Sequence, residues 1–173
     1  NSSVAQSSLG GAYLQQGNYP EAQAHIANAL QADPNNYKAW YNRGVIYLRQ
    51  GKPNEALQAL DKAIALNEYP KALFTRALLF QQVGEPMRAL LDIEKVLAKE
   101  PGNARAHFIK GDCLEKQDNL QNALSSYTHA IAYENEPLFY LRRGVENAKP
   151  SQNAAAISDL EYATRSKPDN VEA

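Results

Sequence analysis

The 173-residue chain has one cysteine, Cys113, so it can hold neither an internal disulfide nor a cysteine-based zinc site. It has almost no net charge, since 18 Lys+Arg face 19 Asp+Glu. Neutralising many phosphates takes an excess of cations, which argues against nucleic acid as the main partner. No apolar run approaches the ~18 residues of a membrane span. The opening NSSVAQSSLGG lacks the basic start and apolar centre of a secretory signal. It also lacks a Met, so the chain reads as processed or as an excerpt of a longer, soluble protein. No segment alternates apolar and polar residues over the length of a strand, and the chain is expected to be all-α. Nor is there a phosphate-cradling glycine loop, because Gly10-Gly11 sits inside a helical pattern. No cofactor is implied.

What the sequence does contain is a period. Pro34, Pro101 and Pro168 are 67 residues apart in turn, and Pro70 and Pro137 fall near the half-way points. Five units follow, at 3–36, 37–69, 70–103, 104–136 and 137–170. The eighth position of each unit carries Gly10, Gly44, Ala77, Gly111 and Gly144, and the twentieth carries Ala22, Ala56, Ala89, Ala123 and Ala156. The twenty-seventh is Ala29, Ala63, Val96, Ala130 and Ala163. Bulky residues recur between them, with Tyr13, Tyr47, Phe80 and Leu114 at position eleven. Ile26, Leu60, Ile93, Tyr127 and Leu160 hold position twenty-four. Small residues at fixed points let two helices approach, and large ones beside them fill the gap. Each unit therefore reads as helix-turn-helix. Gly17, Gly51 and Gly84 stand in the turn, where left-handed backbone costs glycine nothing, and Asp118 and Ser151 replace them later. Pro53 suits the first turn of a second helix.

The pattern Trp40, Gly44, Tyr47, Ala56, Leu60, Ala63 resembles the tetratricopeptide repeat signature, and the resemblance covers residues 3–170. It implies one array of antiparallel helix pairs over 1–173, wound as a right-handed α-α superhelix. First helices would line the concave wall and second helices the convex one. Val171, Glu172 and Ala173 match the opening of a sixth unit, which suggests that the natural chain continues. The fifth unit departs furthest from the pattern. Asn147 replaces the aromatic of position eleven, and Lys149-Pro150 should end its first helix near Ala148, so it is expected to pack least tightly.

Catalytic candidates are few. His107 stands where Trp40 stands one repeat pair earlier and reads as an aromatic substitute. Cys113 falls at a packing position and reads as an inert buried thiol. Asp112 and Glu115 lie on one helical face, but even with His107 they form an incomplete ligand set and read as a solvated charged face, so no metal and no enzyme are expected.

Function is then expected on the concave face, at positions 2, 5, 6, 9, 12 and 13 of each unit. Position five carries the apolar ladder Tyr41, Phe74, Phe108 and Leu141, and Val45, Leu48 and Leu78 widen it. Lys38, Asn42, Arg49, Lys71, Arg105 and Arg142 stand around that floor. An aromatic-aliphatic floor with basic walls suits a protein or peptide with apolar anchors and acidic or carboxylate groups. The family's clamp for acidic chaperone tails needs Lys, Asn, Asn, Lys and Arg at set positions. Here those positions hold Ser7, Gly11, Asn42, Lys71 and Thr75, so that ligand is disfavoured. The expected function is a non-catalytic interaction scaffold. The alternatives are a self-association module, making a homo-oligomer, and a targeting arm for an enzyme domain outside this chain. Position seven, Leu9 in the first unit, is Arg43, Arg76, Lys110 and Arg143 in the others. Asp92 and Asp159 stand sixteen residues after Arg76 and Arg143, which predicts Arg-Asp pairs within a repeat that fix helix packing.

Overall fold

A computed structural model describes residues 2–148 and 153–166. These residues form ten α-helices and no strand, so the protein is all-α. The chain divides into two compact units, residues 1–79 and 80–173. The proposed opening of a sixth repeat at 171–173, and Ser151, lie outside the described residues.

The first unit holds α1 (Ser3–Gln15), α2 (Tyr19–Ala32), α3 (Tyr37–Arg49) and α4 (Pro53–Leu66), with most of α5 (Pro70–Gln82). Helices α1 and α2 pair, α3 and α4 pair, and α3 also packs on α1 and α2. The pairing is a consequence of size at fixed register. A Cβ added to Gly10 would stand 2.7 Å from Ile26, and one at Gly44 would stand 3.0 Å from Leu60, so glycine lets the facing helix come closest at these points. Ala22, Ala29, Ala56 and Ala63 are completely buried at the same seams.

The turns follow from backbone chemistry. Gly17 and Gly51 adopt φ of 75° and 70°. The next amide returns to the last helical turn, Asn18 N–H to Tyr13 O at 2.9 Å and Lys52 N–H to Tyr47 O at 2.9 Å. Gly17 and Gly51 N–H reach Leu14 O and Leu48 O, both at 3.1 Å, which completes a Schellman cap. Repeats are tied by a polar seam as well. Asn36 caps α3 by accepting from Ala39 N–H at 3.1 Å, and donates to Ser3 Oγ at 2.8 Å, which donates on to Ala29 O at 2.8 Å.

The second unit holds α6 (Pro86–Lys99), α7 (Ala104–Glu115), α8 (Leu120–Tyr133), α9 (Pro137–Ala148) and α10 (Asn153–Arg165). Helices α7 and α8 pair, α9 and α10 pair, α6 packs on α7, and α8 packs on α9. Asp118 takes φ 56° in the α7–α8 turn, so an aspartate bears the left-handed conformation that glycine bears elsewhere. A Cβ on Gly144 would come within 3.0 Å of Leu160. Gly111 packs against Tyr127, which is fully buried.

Candidate interaction site

In the first unit, α1 and α3 present a hollow of about 460 Å³. Tyr41, Val45 and Leu14 supply its apolar floor, and Lys38, Arg49 and Lys71 stand at its margin, with Ser7, Ser8, Gly11 and Tyr69 completing the wall. Six of the expected residues thus border one cavity: Lys38, Tyr41, Asn42, Val45, Arg49 and Lys71. Tyr41 is held edge-on against Tyr69, with centroids 5.4 Å apart, and Tyr69 meets Tyr37 at 5.3 Å. Such edge-to-face geometry leaves little freedom at the floor. Asn42 spends its Nδ2 on Ser7 O at 3.1 Å, so it ties α3 to α1 and offers a ligand mainly its amide oxygen. Thr75 donates to Lys71 O at 2.8 Å within its own helix and gives the chaperone-tail pattern no cation. Leu48 and Phe74 are half-buried and Leu78 is exposed, and these three do not line the hollow.

The second unit departs from the expected groove in two ways. Phe108, expected on the floor, is buried at 8 % exposure. It stacks on Phe139 with centroids 4.9 Å apart and leans on Tyr127 at 5.7 Å. The cause is Phe139, which replaces the alanine found at the third position of the other units. Asp112 and Glu115 are also not a solvated face. The fully buried Tyr127 places its hydroxyl 2.8 Å from Asp112 Oδ1 and 2.8 Å from Glu115 Oε2. Burial, and then the two carboxylates, push the Tyr127 hydroxyl far above its ordinary pKa. Burial likewise raises the Asp112 pKa, against opposing hydrogen bonds from Tyr127 and Gln81 and the charge of Arg142. Arg142 Nε lies 4.0 Å from Asp112 Oδ1, so this cation faces a carboxylate of its own chain. Leu141 and Val145 remain exposed on α9, and Arg105 is exposed on α7.

The side chains read as catalytic candidates have other work. His107 and Pro101 O are 2.8 Å apart, as Trp40 Nε1 and Pro34 O are, so His107 repeats the tryptophan's contact. It also stacks on His129 and Tyr133, with centroids 5.2 and 5.7 Å away. Burial of Cys113 raises its pKa to about 11, which keeps the thiol protonated at neutral pH.

Position seven carries a ladder with rungs beyond those that the spacing indicated. Arg143 grips Asp159 with two bonds, Nε and Nη2 each donating at 2.8 Å, and Nη1 reaches Thr128 Oγ1 at 3.3 Å. Arg76 has a carboxylate partner that the sixteen-residue spacing does not point to, Asp61 at 2.6 Å, and Lys110 reaches Glu94 at 3.4 Å. Asp61, Glu94 and Thr128 all stand at position twenty-five of the preceding repeat. The link therefore runs between neighbouring repeats, and the shared register of position twenty-five is the signal that would have found it.

A tetratricopeptide repeat family model matches residues 8–71 and 74–137. The chain belongs to the tetratricopeptide repeat family, whose fold is a protein-interaction scaffold. Human DnaJ homolog subfamily C member 3 is 32% identical over 182 aligned residues, covering 95% of this chain and 36% of that protein. Stress-induced-phosphoprotein 1 of Caenorhabditis elegans is 23% identical, over 79% of this chain and 35% of that one. The chain thus spans about a third of the length of these relatives. Among solved structures, Pseudomonas aeruginosa PilF aligns with a TM-score of 0.87 at 19% identity, covering 97% of this chain and 78% of that one. YrrB, described as a tetratricopeptide repeat protein with an unusual peptide-binding site, aligns at 0.80 with 20% identity, over 97% and 88%. These structures share the fold. No helix among the described residues is long and apolar enough to cross a membrane.

Proposed function

We propose that this chain is a non-catalytic scaffold that binds a peptide or partner segment on its concave face, with the hollow between α1 and α3 as the principal contact. The supporting observation is the joining of an aromatic floor at Tyr41 to three exposed cations, Lys38, Arg49 and Lys71, around one cavity of about 460 Å³. That volume lies within the ~300–1,000 Å³ of ordinary ligand sites and takes two or three side chains of a bound segment. The ligand carries an apolar anchor beside acidic side chains or a terminal carboxylate. Phe74 and Leu78 are proposed as further contacts in the first unit; in the second unit Arg105, Leu141 and Arg142 are proposed as contacts of that unit's own surface, with Phe108 buried beneath it. The test is affinity capture with the wild type, a Tyr41→Ala variant and a Lys38→Glu, Arg49→Glu, Lys71→Glu variant. Both variants should lose the partners that the wild type retains; recovery of the same set by all three would refute the reading.

A second reading, self-association, is favoured by Val83, Met87 and Leu91. Met87 and Leu91 lie four residues apart on one stripe of α6, 58 and 62 % exposed, and Val83 in the turn before it is 54 % exposed. Sedimentation of the wild type beside a Met87→Glu, Leu91→Glu variant separates the two, since only an assembly through this stripe would dissociate. A third reading, a targeting arm of a longer protein, is supported by the two thirds of the relatives' length that this chain does not match.

A further inference from the structure

The position-seven ladder has a missing rung. Arg76 faces Asp61, Lys110 faces Glu94 and Arg143 faces Asp159. For Arg43 the corresponding positions hold Ala27 in the preceding repeat and Ala59 in its own. Among the described residues no carboxylate pairs with Arg43. Its guanidinium is nonetheless fixed in place. Nε donates to Tyr47 Oη at 3.1 Å, and the group stands 5.4 Å from the Trp40 ring centroid and 5.6 Å from that of Tyr47. The aromatic contacts favour the cation without neutralising it.

Arg43 also lines a hollow of about 100 Å³ between α2 and α3, whose other walls are Gln23, Ile26, Ala27, Ile46 and Tyr47. The walls are mainly apolar, and the volume suits one aliphatic side chain, well below a small-molecule site. An exposed and preorganised cation beside a one-residue apolar socket makes a two-point recognition element.

We infer that this outer groove binds a partner polypeptide through an acidic residue adjacent to an aliphatic one. The aliphatic side chain enters the socket, and the carboxylate takes the place that Asp61 and Glu94 occupy in later repeats. The charge balance commits the site to an anion, since a planar guanidinium with unused donors pairs best with a carboxylate. The inference concerns the groove between α2 and α3 and does not rest on the reading of the hollow between α1 and α3.

The test uses the whole chain and two capped probes, acetyl-Gly-Leu-Glu-Gly-amide and its Gln counterpart, titrated by amide and Arg Nε chemical shifts. The Glu peptide should shift Gln23, Ala27 and Arg43 and bind at least fivefold more tightly than the Gln peptide. Arg43→Gln should abolish that preference. Ala27→Glu, at an exposed position that tolerates a longer side chain, should supply the missing rung internally and weaken the Glu peptide at least fivefold. Equal affinity for the two peptides, an unchanged preference in Arg43→Gln, shifts confined to Tyr41, Val45 and Lys71, or no saturable shift at millimolar peptide would each overturn the inference.

Discussion

The Arg143–Asp159 pair offers a direct test of whether burial decides what a rung of the ladder contributes. The Asp159 side chain is 7 % exposed and that of Arg143 22 %, and two bonds of 2.8 Å join them. Asp61, which pairs with Arg76 at 2.6 Å, is 57 % exposed. The same isosteric change, Asp→Asn, can therefore be made in a dry and in a wet setting. Asp159→Asn removes the charge and turns an amide donor toward a guanidinium that has only donors. Breaking a fully buried pair costs ~3–5 kcal/mol, and discounting for the partial exposure of Arg143 leaves about 2–3 kcal/mol. Asp61→Asn should cost at most about 1 kcal/mol, and that cost should shrink in 1 M salt. Stability in repeat proteins is local, so the readout is amide hydrogen exchange of α9 and α10 for the first variant and of α4 for the second. A third variant, Arg143→Met with Asp159→Leu, removes both charges together and should recover most of the loss, because an apolar pair needs no compensation. Equal destabilisation by Asp159→Asn and Asp61→Asn, or a double variant as weak as the single, would show that the pair's burial is not what matters.

Three further outcomes are expected. Gly111→Ala places a Cβ 2.6 Å from Tyr127 Cδ1 and 2.9 Å from Cζ, and that ring is fully buried and held by its hydroxyl. Overpacking of ~1–3 kcal/mol should exceed the ~1 kcal/mol that alanine gains over glycine in a helix, so urea melts should show a net loss. Asn147→Tyr restores the aromatic of position eleven beside a hollow of about 360 Å³ lined by Leu124, Thr128, Arg143, Asn147 and Asp159. Filling it should stabilise by ~0.5–2 kcal/mol, read as increased exchange protection in α9. His107 has its pKa lowered, first by burial and then by the His129 and Lys110 charges, against the opposing bond to Pro101. The unfolded chain then binds the proton more readily, so stability is reduced in acid and recovers as pH rises to the ordinary histidine range, about 6.5. His107→Trp keeps a donor for Pro101 O and should flatten the thermal-melt profile between pH 5 and pH 7, roughly the range in which histidine titrates.

Why the fold was legible and the site only partly so comes down to two different kinds of constraint. Close packing is periodic in a repeat protein. Gly10 against Ile26, Gly44 against Leu60 and Gly144 against Leu160 are one contact made three times, and a fixed offset in the sequence exposes it. Polar satisfaction is not periodic. Tyr127 stands where the other units hold Ile or Leu, and a buried hydroxyl must find acceptors. That single substitution draws in Asp112 and Glu115, which an unassisted helical projection assigns to solvent. Phe139 acts in the same manner on Phe108, because one large residue at a position otherwise held by alanine closes the floor above its neighbour. The first unit escaped both effects: Ala72 follows Tyr41 where Phe139 follows Phe108, and Leu60 stands where Tyr127 does, so Tyr41 keeps its open face and the expected residues converge there. Departures from a repeat's own register therefore locate the places where projection from the consensus fails. By the same reasoning, Ala27 and Ala59 beside Arg43 are informative for what they omit: the carboxylate that Asp61 and Glu94 supply to the cations of later repeats.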